Sequence, residues 1–242
     1  EAASEWTLEP DETGLAAERE QVGRLFAGLV RDTDRLAERI RRQALEETRR
    51  QTYQAMEALI ANLNTMNSRA GAQTPFSSIN YGTDTRPEAR MAMRCLLEAT
   101  EAGLGGGETA IFPIQIFRVQ KGVNLNPGDP NYDLFRLACR VSAKRLFPNF
   151  SFQDAPFNAE FYRPGHPETE IAYMGCRTRV MSNVHDPSRA QTWGRGNLSF
   201  TSINLPRLAI EAHHDVDAFF ASYDRMIDLV IDQLLDRLKI QS

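Results

Sequence analysis

The fold of this 242-residue chain is decided by the stretch Ile111-Phe112-Pro113-Ile114-Gln115-Ile116-Phe117, which is apolar and rich in β-forming residues. An apolar run of this length predicts a strand that is buried on both faces, as in a parallel sheet. A helix is predicted before it, over 87–102, with Pro87 at the first helical position. A second helix is predicted after it, with Asp129 as N-cap and Pro130 at N1. Helices on both sides of a buried strand predict an α/β fold with parallel pairing.

The segments farther out continue this alternation of helices and strands. The predicted elements are one long helix or two consecutive helices over 15–66, a short strand over 76–81, a loop-rich region over 149–196, a strand over 198–205 and an amphipathic helix over 214–239. The apolar stripe of 15–66 has two interpretations. It packs against its own domain, or it forms a helical subunit interface.

Composition excludes several classes of protein. The chain has 28 Lys and Arg against 32 Asp and Glu, and residues 1–66, with 13 acidic and 9 basic side chains, hold the whole net charge of -4. Because no basic block occurs, binding to nucleic acid or to an anionic membrane is not expected. No run of 18 apolar residues occurs, so no membrane span is expected. Three cysteines at spacings of 44 and 37 match no metal motif and favour the reducing cytoplasm.

Cys176 is the cysteine with the greatest chemical interest, because it stands in the loop-rich region in the sequence Met174-Gly175-Cys176-Arg177-Thr178-Arg179. The glycine before it permits a close backbone approach, and the two arginines favour a thiolate. A chance loop cysteine and a hydrolase-type pair with His185 remain alternatives. The other two cysteines, Cys95 and Cys139, fall within predicted amphipathic helices, where we expect both to be buried.

The remaining candidate residues favour structural roles. His213 and His214 precede a predicted helix start and are expected at the surface. The glycine-rich segment 103–107 is interpreted as a helix stop, because it lacks the Lys-Ser/Thr ending of a phosphate-binding loop and follows a helix. The segment 194–197, which contains Asn197, is a flexible turn or a turn that faces substrate through the asparagine amide.

Several stretches together resemble the anaerobic (class III) ribonucleoside-triphosphate reductases over residues 35–240. They are Asn62-Leu63-Asn64-Thr65-Met66-Asn67-Ser68-Arg69-Ala70-Gly71-Ala72-Gln73, Pro75-Phe76-Ser77-Ser78-Ile79-Asn80-Tyr81-Gly82-Thr83, Gly128-Asp129-Pro130-Asn131-Tyr132-Asp133-Leu134-Phe135, the sequence around Cys176, and Gly194-Arg195-Gly196-Asn197-Leu198-Ser199-Phe200-Thr201-Ser202-Ile203-Asn204-Leu205-Pro206-Arg207. Their order along the chain makes the resemblance specific.

The resemblance implies a fold, an activity and two site residues. The fold is a ten-stranded α/β barrel made of two half-barrels, with residues 1–66 as a helical segment and possible dimer face. Residues 67–242 would form the first half-barrel, with an active-site finger loop near 170–197. Cys176 would carry a thiyl radical that abstracts the ribose 3′ hydrogen of a ribonucleoside triphosphate. Asn197 would lie near substrate and reductant, where its amide can both donate and accept hydrogen bonds.

The resemblance also implies cofactors and partners. These are a glycyl radical installed by a radical-SAM activating enzyme, a structural zinc outside this chain, deoxynucleotide and ATP effectors, and a homodimer. The reductant, formate or a redoxin-type thiol, stays open.

Features of the family that lie outside these residues make the chain resemble an internal fragment or a reduced relative. The glycyl-radical segment, the C-terminal zinc cysteines, the N-terminal nucleotide-binding cone and the strand with a second active-site cysteine find no match in the sequence. The first residue, Glu1, is not an initiator Met. We therefore expect the fragment alone to be inactive. The alternatives are a non-catalytic nucleotide-binding or dimerisation fragment, and another glycyl radical enzyme.

Overall fold

The computed structural model describes residues 12–67, 74–163, 165–166, 169–175, 177–180, 186 and 199–241. In chain order its elements are α1 (Glu12–Leu25), α2 (Thr33–Thr65), β1 (Ser78–Tyr81), α3 (Pro87–Ala102), β2 (Ile114–Val119), α4 (Tyr132–Arg145), β3 (Asn149–Phe152), α5 (Pro156–Ala159), β4 (Ala172–Tyr173), β5 (Arg179–Val180), α6 (Leu205–Glu211) and α7 (Val216–Gln241). The chain divides into two compact units, residues 1–192 and residues 193–242.

The first unit begins with two consecutive helices, which confirms the second form of the prediction for 15–66. The break between α1 and α2 follows Gly28, whose φ of 75° lies in the left-handed region that glycine tolerates. Asp32 then starts α2, because its side chain accepts a hydrogen bond from the Arg35 amide at 2.9 Å.

The centre of the unit is a parallel sheet in the order β1-β2-β3, and the parallel pairing agrees with the prediction. The third strand, β3, was not predicted, because its four residues begin the region 149–196 that was interpreted as loop-rich. The register places Tyr81, Phe117 and Phe150 in one row across the three strands. Their rings meet edge to face at 5.5 and 6.1 Å, and this aromatic row packs in a core with residues of α2, α3 and α4. Phe117 is completely buried, and burial of a phenylalanine stabilises a fold by about 1.5–3 kcal/mol.

Two element boundaries differ from the prediction for local reasons. Strand β2 begins at Ile114 and not at Ile111, because the Asn64 Oδ1 accepts hydrogen bonds from the Ile111 and Phe112 amides at 2.9 and 3.0 Å. Helix α4 begins at Tyr132, with Asn131 at the N-cap position in place of Asp129.

The Asp129 carboxylate belongs to the loop before α4 and not to the helix. It accepts a hydrogen bond from the Asn126 amide at 2.8 Å and so closes the loop that leads into α4. The Asp-Pro signal therefore marks this turn, and the helix starts two residues after Pro130.

The strand predicted over 198–205 is wrong for the residues that are described. Residues 199–204 form no strand, and Leu198 lies outside the described residues. The Asn204 Oδ1 accepts a hydrogen bond from the Arg207 amide at 3.0 Å and starts α6, with Pro206 in its first turn. An N-cap asparagine followed by proline is a helix start, and here it prevails over the period-two hydrophobic pattern. The final helix is confirmed as α7.

These elements confirm the mixed α/β class. The parallel strands that the structure describes form an open sheet of three, so the ten-stranded barrel and the domain boundary at residue 66 stay predictions. None of the described helices is long and apolar enough to cross a membrane.

Candidate functional site

A short hairpin made of β4 and β5 covers the sheet on the side opposite the aromatic row. The two strands pair antiparallel, with Ala172 opposite Val180 and Tyr173 opposite Arg179. The connection is tight, because the Arg177 amide donates to the Met174 carbonyl at 2.7 Å. This bond joins residues three apart in the chain, as in a β-turn.

The two predicted catalytic residues lie outside the described residues. Cys176 stands between Gly175 and Arg177 in the sequence, and both of these neighbours are described. Asn197 belongs to the segment 187–198, which is not described, and the same holds for His185 of the alternative Cys-His pair. The structure therefore supplies the surroundings of the cysteine through its flanking residues.

The hairpin lies over a second row of the sheet, formed by Asn80, Ile116 and Asn149, which face each other across β1, β2 and β3. Successive side chains of a strand point to opposite faces, so this row lies on the face opposite the aromatic row. We call this face the hairpin face. It carries two asparagines, in contrast to the all-aromatic row on the other side.

Asn80 binds the first arm of the hairpin through both ends of its amide. The Asn80 Nδ2 donates to the Tyr173 carbonyl at 2.8 Å, and the Asn80 Oδ1 accepts from the Tyr173 amide at 3.0 Å. The side chain thus pairs with a backbone peptide as a neighbouring strand would.

Asn149 lies under the second arm of the hairpin. Its Oδ1 accepts a hydrogen bond from Arg177 Nη2 at 3.3 Å, and Arg177 Nη1 donates to the Gly175 carbonyl at 3.1 Å. Among the described residues the Asn149 Nδ2 is buried without a hydrogen-bond partner. An unsatisfied buried donor costs about 1–3 kcal/mol, so this amide is a polar group available beside the turn.

Gly175 fits the close approach that the sequence predicted. A Cβ at this position would lie 2.5 Å from the Phe76 ring and 3.4 Å from Ile114. Gly175 is itself buried. Only a residue without a side chain brings the turn this near to the strand starts without displacing a neighbour.

An ion pair holds the base of the hairpin. Arg118, the next residue of β2 on the hairpin face, donates from Nη1 to Glu170 at 2.6 Å. This pair borders a cavity of about 180 Å³ at the carboxyl ends of the strands. The other lining residues are Thr83, Gln120, Gln153, Asp154, Ala159 and Tyr162. Tyr173 adds a hydrogen bond from its hydroxyl to Asn158 Oδ1 at 3.1 Å.

The other two cysteines differ from each other. Cys95 is completely buried in α3, as predicted, and desolvation raises the pKa of its thiol from 9.0 to about 11. Cys139 lies in α4 but is exposed, so the prediction of burial is wrong for it. The buried side of α4 carries Leu137, Ala138 and Val141, and position 139 turns away from that side.

The structural interpretations of the histidine pair and the glycine segment are confirmed. His213 and His214 are exposed. Gly103 ends α3 with φ 85° and donates its amide to the Ala99 carbonyl at 3.1 Å, as a helix stop does. No cluster of three or more His, Cys, Asp or Glu that could hold a metal occurs among the described residues, and zinc has no fitting ligand set there.

The apolar stripe of the N-terminal helices is only partly covered. Ile60 is 2% exposed and packs in the core, whereas Leu25, Leu29 and Ile40 are 66%, 78% and 43% exposed. Packing within its own domain is therefore confirmed for the C-terminal part of the stripe, and the subunit interface stays a prediction for the N-terminal part. Its C-terminal part packs on its own unit, and its N-terminal part has an apolar surface that suits an interface.

Sequence reasoning missed the residues of the hairpin face. Asn80, Asn149 and the Arg118–Glu170 pair were not singled out, because they become neighbours of the hairpin only through strand pairing. One signal was present. Asparagine is depleted in strands, and Asn80 stands within a predicted one, next to its last residue.

Comparison with known proteins adds the family context. A family model described as "Anaerobic ribonucleoside-triphosphate reductase" matches residues 20–242. Proteins of the same name from Salmonella typhimurium and Escherichia coli are 33% and 32% identical over 198 residues, which is 81% of this chain and 26% of each relative. The protein of that name from Enterobacteria phage T4 is 32% identical over 200 residues, 81% of this chain and 32% of its own length. The chain thus spans about a quarter to a third of the curated relatives that it matches.

Proposed function

The chain belongs to the anaerobic ribonucleoside-triphosphate reductase family, and on that premise we propose that its β4–β5 hairpin carries the thiyl-radical residue, Cys176, of such an enzyme. The observation that supports this proposal is the tight turn bounded by Gly175 and Arg177 over the hairpin face. The described residues on both sides of position 176 are held by close packing and hydrogen bonds. Hydrogen-atom transfer from substrate depends on exact positioning of the reacting groups.

The proposed reaction converts a ribonucleoside triphosphate to the deoxy form. The sulfur radical takes the 3′ hydrogen atom of the ribose and becomes a thiol, and the 2′ hydroxyl, after protonation, leaves as water. Two electrons come from formate or a redoxin-type thiol, and the hydrogen atom returns to C3′ from Cys176, which regenerates the sulfur radical. A glycyl radical, installed by a radical-SAM activating enzyme, would accept the hydrogen atom of the Cys176 thiol and so leave the sulfur radical.

Asn197 is proposed to orient the substrate or the reductant. Its amide offers a donor for an oxygen that gains charge and an acceptor for a hydroxyl, so one side chain serves either molecule. The enzyme is proposed to act in the cytoplasm.

The test replaces Cys176 in the full-length reductase. Cys176→Ala is expected to abolish formation of labelled deoxynucleotide while the glycyl radical, measured by electron paramagnetic resonance, still forms. Cys139→Ala is the matched control, because Cys139 is an exposed helix cysteine whose loss is expected to leave turnover unchanged. Turnover by Cys176→Ala with the radical present would refute the proposed role.

We also propose that α1 and the first half of α2 contribute to a homodimer face that binds deoxynucleotide or ATP effectors. The exposed apolar residues Leu25, Leu29 and Ile40 supply the surface. A nearby cavity of about 450 Å³ is lined by the cations Arg41, Arg42 and Arg49 and by the carboxylates Glu38 and Glu46. The guanidinium groups are the ones that would bind effector phosphates there. Leu29→Glu is expected to shift the protein from dimer to monomer in sedimentation and to weaken effector binding.

The alternative of a non-catalytic fragment applies to residues 1–242 assayed by themselves. The described sheet has two open edges, β1 and β3, and its hairpin face is polar. We expect no nucleotide reduction from these residues alone when the activating enzyme, substrate and formate are supplied. Product that disappears on Cys176→Ala would contradict this.

A further inference from the structure

Asn80 is the residue that connects the hairpin most directly to the sheet. Tyr173 is paired with Arg179 across the hairpin, and its amide and carbonyl both turn toward Asn80. Opposite residues of antiparallel strands alternate between hydrogen-bonded and non-hydrogen-bonded pairs, and Tyr173 and Arg179 form a pair of the second kind. The backbone groups of Tyr173 therefore need partners outside the hairpin. Asn80 supplies both partners with one side chain.

The asparagine amide satisfies both backbone groups of Tyr173 at once. Aspartate keeps the acceptor oxygen for the Tyr173 amide, but its carboxylate cannot donate to the Tyr173 carbonyl. Alanine leaves both groups of a half-buried peptide without a partner. The bonded geometry, 2.8 and 3.0 Å, therefore depends on the amide and not on the size of the residue.

The other contacts of the hairpin act on side chains or at other positions. The Tyr173 hydroxyl donates to Asn158 at 3.1 Å, but this bond is made at the end of the ring and not by the backbone. Arg177 reaches Asn149 with one hydrogen bond at 3.3 Å from an exposed side chain. The ion pair of Arg118 holds Glu170, three residues before Tyr173. The Glu170 side chain is 43% exposed, so solvent weakens this pair. Asn80 binds the backbone of Tyr173, which stands three residues before Cys176 in the sequence.

We infer that Asn80 is a positioning residue for the reaction proposed above, because it holds Tyr173 beside β1 and so restrains the arm of the hairpin that leads to position 176. The expected effect on catalysis rests on the proposed function. The restraint on the hairpin rests on the two hydrogen bonds of Asn80 alone. Asn80 does not touch the reacting atoms, and its effect passes through the backbone of residues 173–175.

The first experiment measures amide hydrogen exchange in the 242-residue chain. Asn80→Ala is expected to raise the exchange rate of the Tyr173 amide at least tenfold, while the amides of Ile116 and Phe117 in β2 keep their rates. Asn124→Ala is the matched control. Asn124 is also an asparagine that bridges backbone groups, but it binds the Gly82 and Arg118 carbonyls, away from the hairpin arm. It is expected to lower Tm without a selective change at Tyr173.

The second experiment measures turnover in the full-length reductase. Asn80→Ala is expected to lower kcat at least tenfold with KM within twofold of the wild type and with an unchanged yield of glycyl radical. A merely structural role would lower the amount of folded enzyme and the radical yield together. Asn80→Asp, which keeps the size of the side chain, serves if the alanine variant does not fold, and it is expected to give the same pattern.

Two results would overturn the inference. One is an unchanged Tyr173 exchange rate in the variant that folds, and the other is faster exchange at Tyr173 with unchanged kcat. Failure of the proposed function looks different. In that case Cys176→Ala retains turnover, while the exchange experiment still reports whether Asn80 holds the hairpin.

Discussion

The two faces of the three-stranded sheet show two different uses of the same strands. On one face Tyr81, Phe117 and Phe150 form an aromatic row under the helices. On the other, one residue earlier in each strand, Asn80, Ile116 and Asn149 lie under the hairpin. The first face is stabilised by area removed from water, which depends little on direction. The second is held by hydrogen bonds, which are directional, and it therefore fixes the hairpin in one place.

The difference teaches where function is to be sought in this fold. Burial of polar side chains costs free energy unless they are paired, so a buried face that keeps asparagines and an arginine has a purpose other than stability. Here the polar groups bind the backbone of the hairpin. The predictions below test this division between a face that stabilises the unit and a face that positions the turn.

The largest expected effect is on the aromatic face. Phe117→Ala removes the central ring of the aromatic row, which is completely buried, and is expected to lower the free energy of unfolding by about 3–5 kcal/mol. Urea denaturation followed by circular dichroism measures it. Asn80→Ala on the hairpin face serves for comparison and is expected to cost about 1–3 kcal/mol, because it leaves backbone groups of Tyr173 without their partner. A loss in Asn80→Ala as large as that in Phe117→Ala would remove the distinction between the faces.

Gly175→Ala breaks the close packing of the turn. The new methyl group would lie 2.5 Å from the ring of Phe76, which is 63% exposed, so the ring has to move aside. We expect a cost of about 1 kcal/mol, at the low end for overpacking, because the ring has room to move. We expect faster amide exchange at Met174 and Arg177 and unchanged exchange in β2. The double variant Phe76→Ala, Gly175→Ala removes the clash and is expected to restore the slow exchange. Persistence of fast exchange in the double variant would contradict this explanation.

Cys95 sharpens the contrast between an inert thiol in the helix layer and the thiol proposed for the hairpin. The folded state keeps the Cys95 thiol neutral, with its pKa raised from 9.0 to about 11 by desolvation. Its contribution to stability is complete below pH 9 and is lost as the pH rises to 11, because the unfolded chain ionises first. The free energy of unfolding is expected to fall by about 1.3 kcal/mol between pH 8 and pH 10 from this group.

Paired variants isolate this contribution. In Cys95→Ala, the fall in the free energy of unfolding between pH 8 and pH 10 is expected to be smaller than in the wild type by about 1.3 kcal/mol. Cys139→Ala, which changes an exposed thiol, is expected to keep it. Denaturation at pH 8 and pH 10 measures both. Identical pH dependence in Cys95→Ala and wild type would show that the thiol is not desolvated in the folded state.

Much of the helix layer was predictable from local signals. The predicted helix over 87–102 agrees with α3 at both ends, because Pro87 stands in its first turn and Gly103 has the positive φ of a helix stop. The start of α4 was predicted too early, because Asp129 was assigned to the helix when its carboxylate closes the preceding turn. The strand over 198–205 was wrong because a helix cap at Asn204 overrides alternation.

The candidate site was predictable only in part. The sequence singled out the motif around Cys176 and the close approach of Gly175, since both are local features of a few residues. It did not show that Asn80 binds Tyr173, which is 93 residues away in the chain. Such a contact has no local signal apart from an unusual residue type in a strand.

The sequence by itself determined the family, the α/β class, the order of most elements and the candidate cysteine, because these depend on hydrophobic period, caps and motifs that lie within short stretches. Only the tertiary structure decided which face of the sheet each residue occupies relative to the hairpin. The register Asn80↔Ile116↔Asn149 comes from the pairing of three strands, and a shift of one residue would exchange the aromatic row for the asparagines. The position of the turn follows from that register, through hydrogen bonds between residues far apart in the chain.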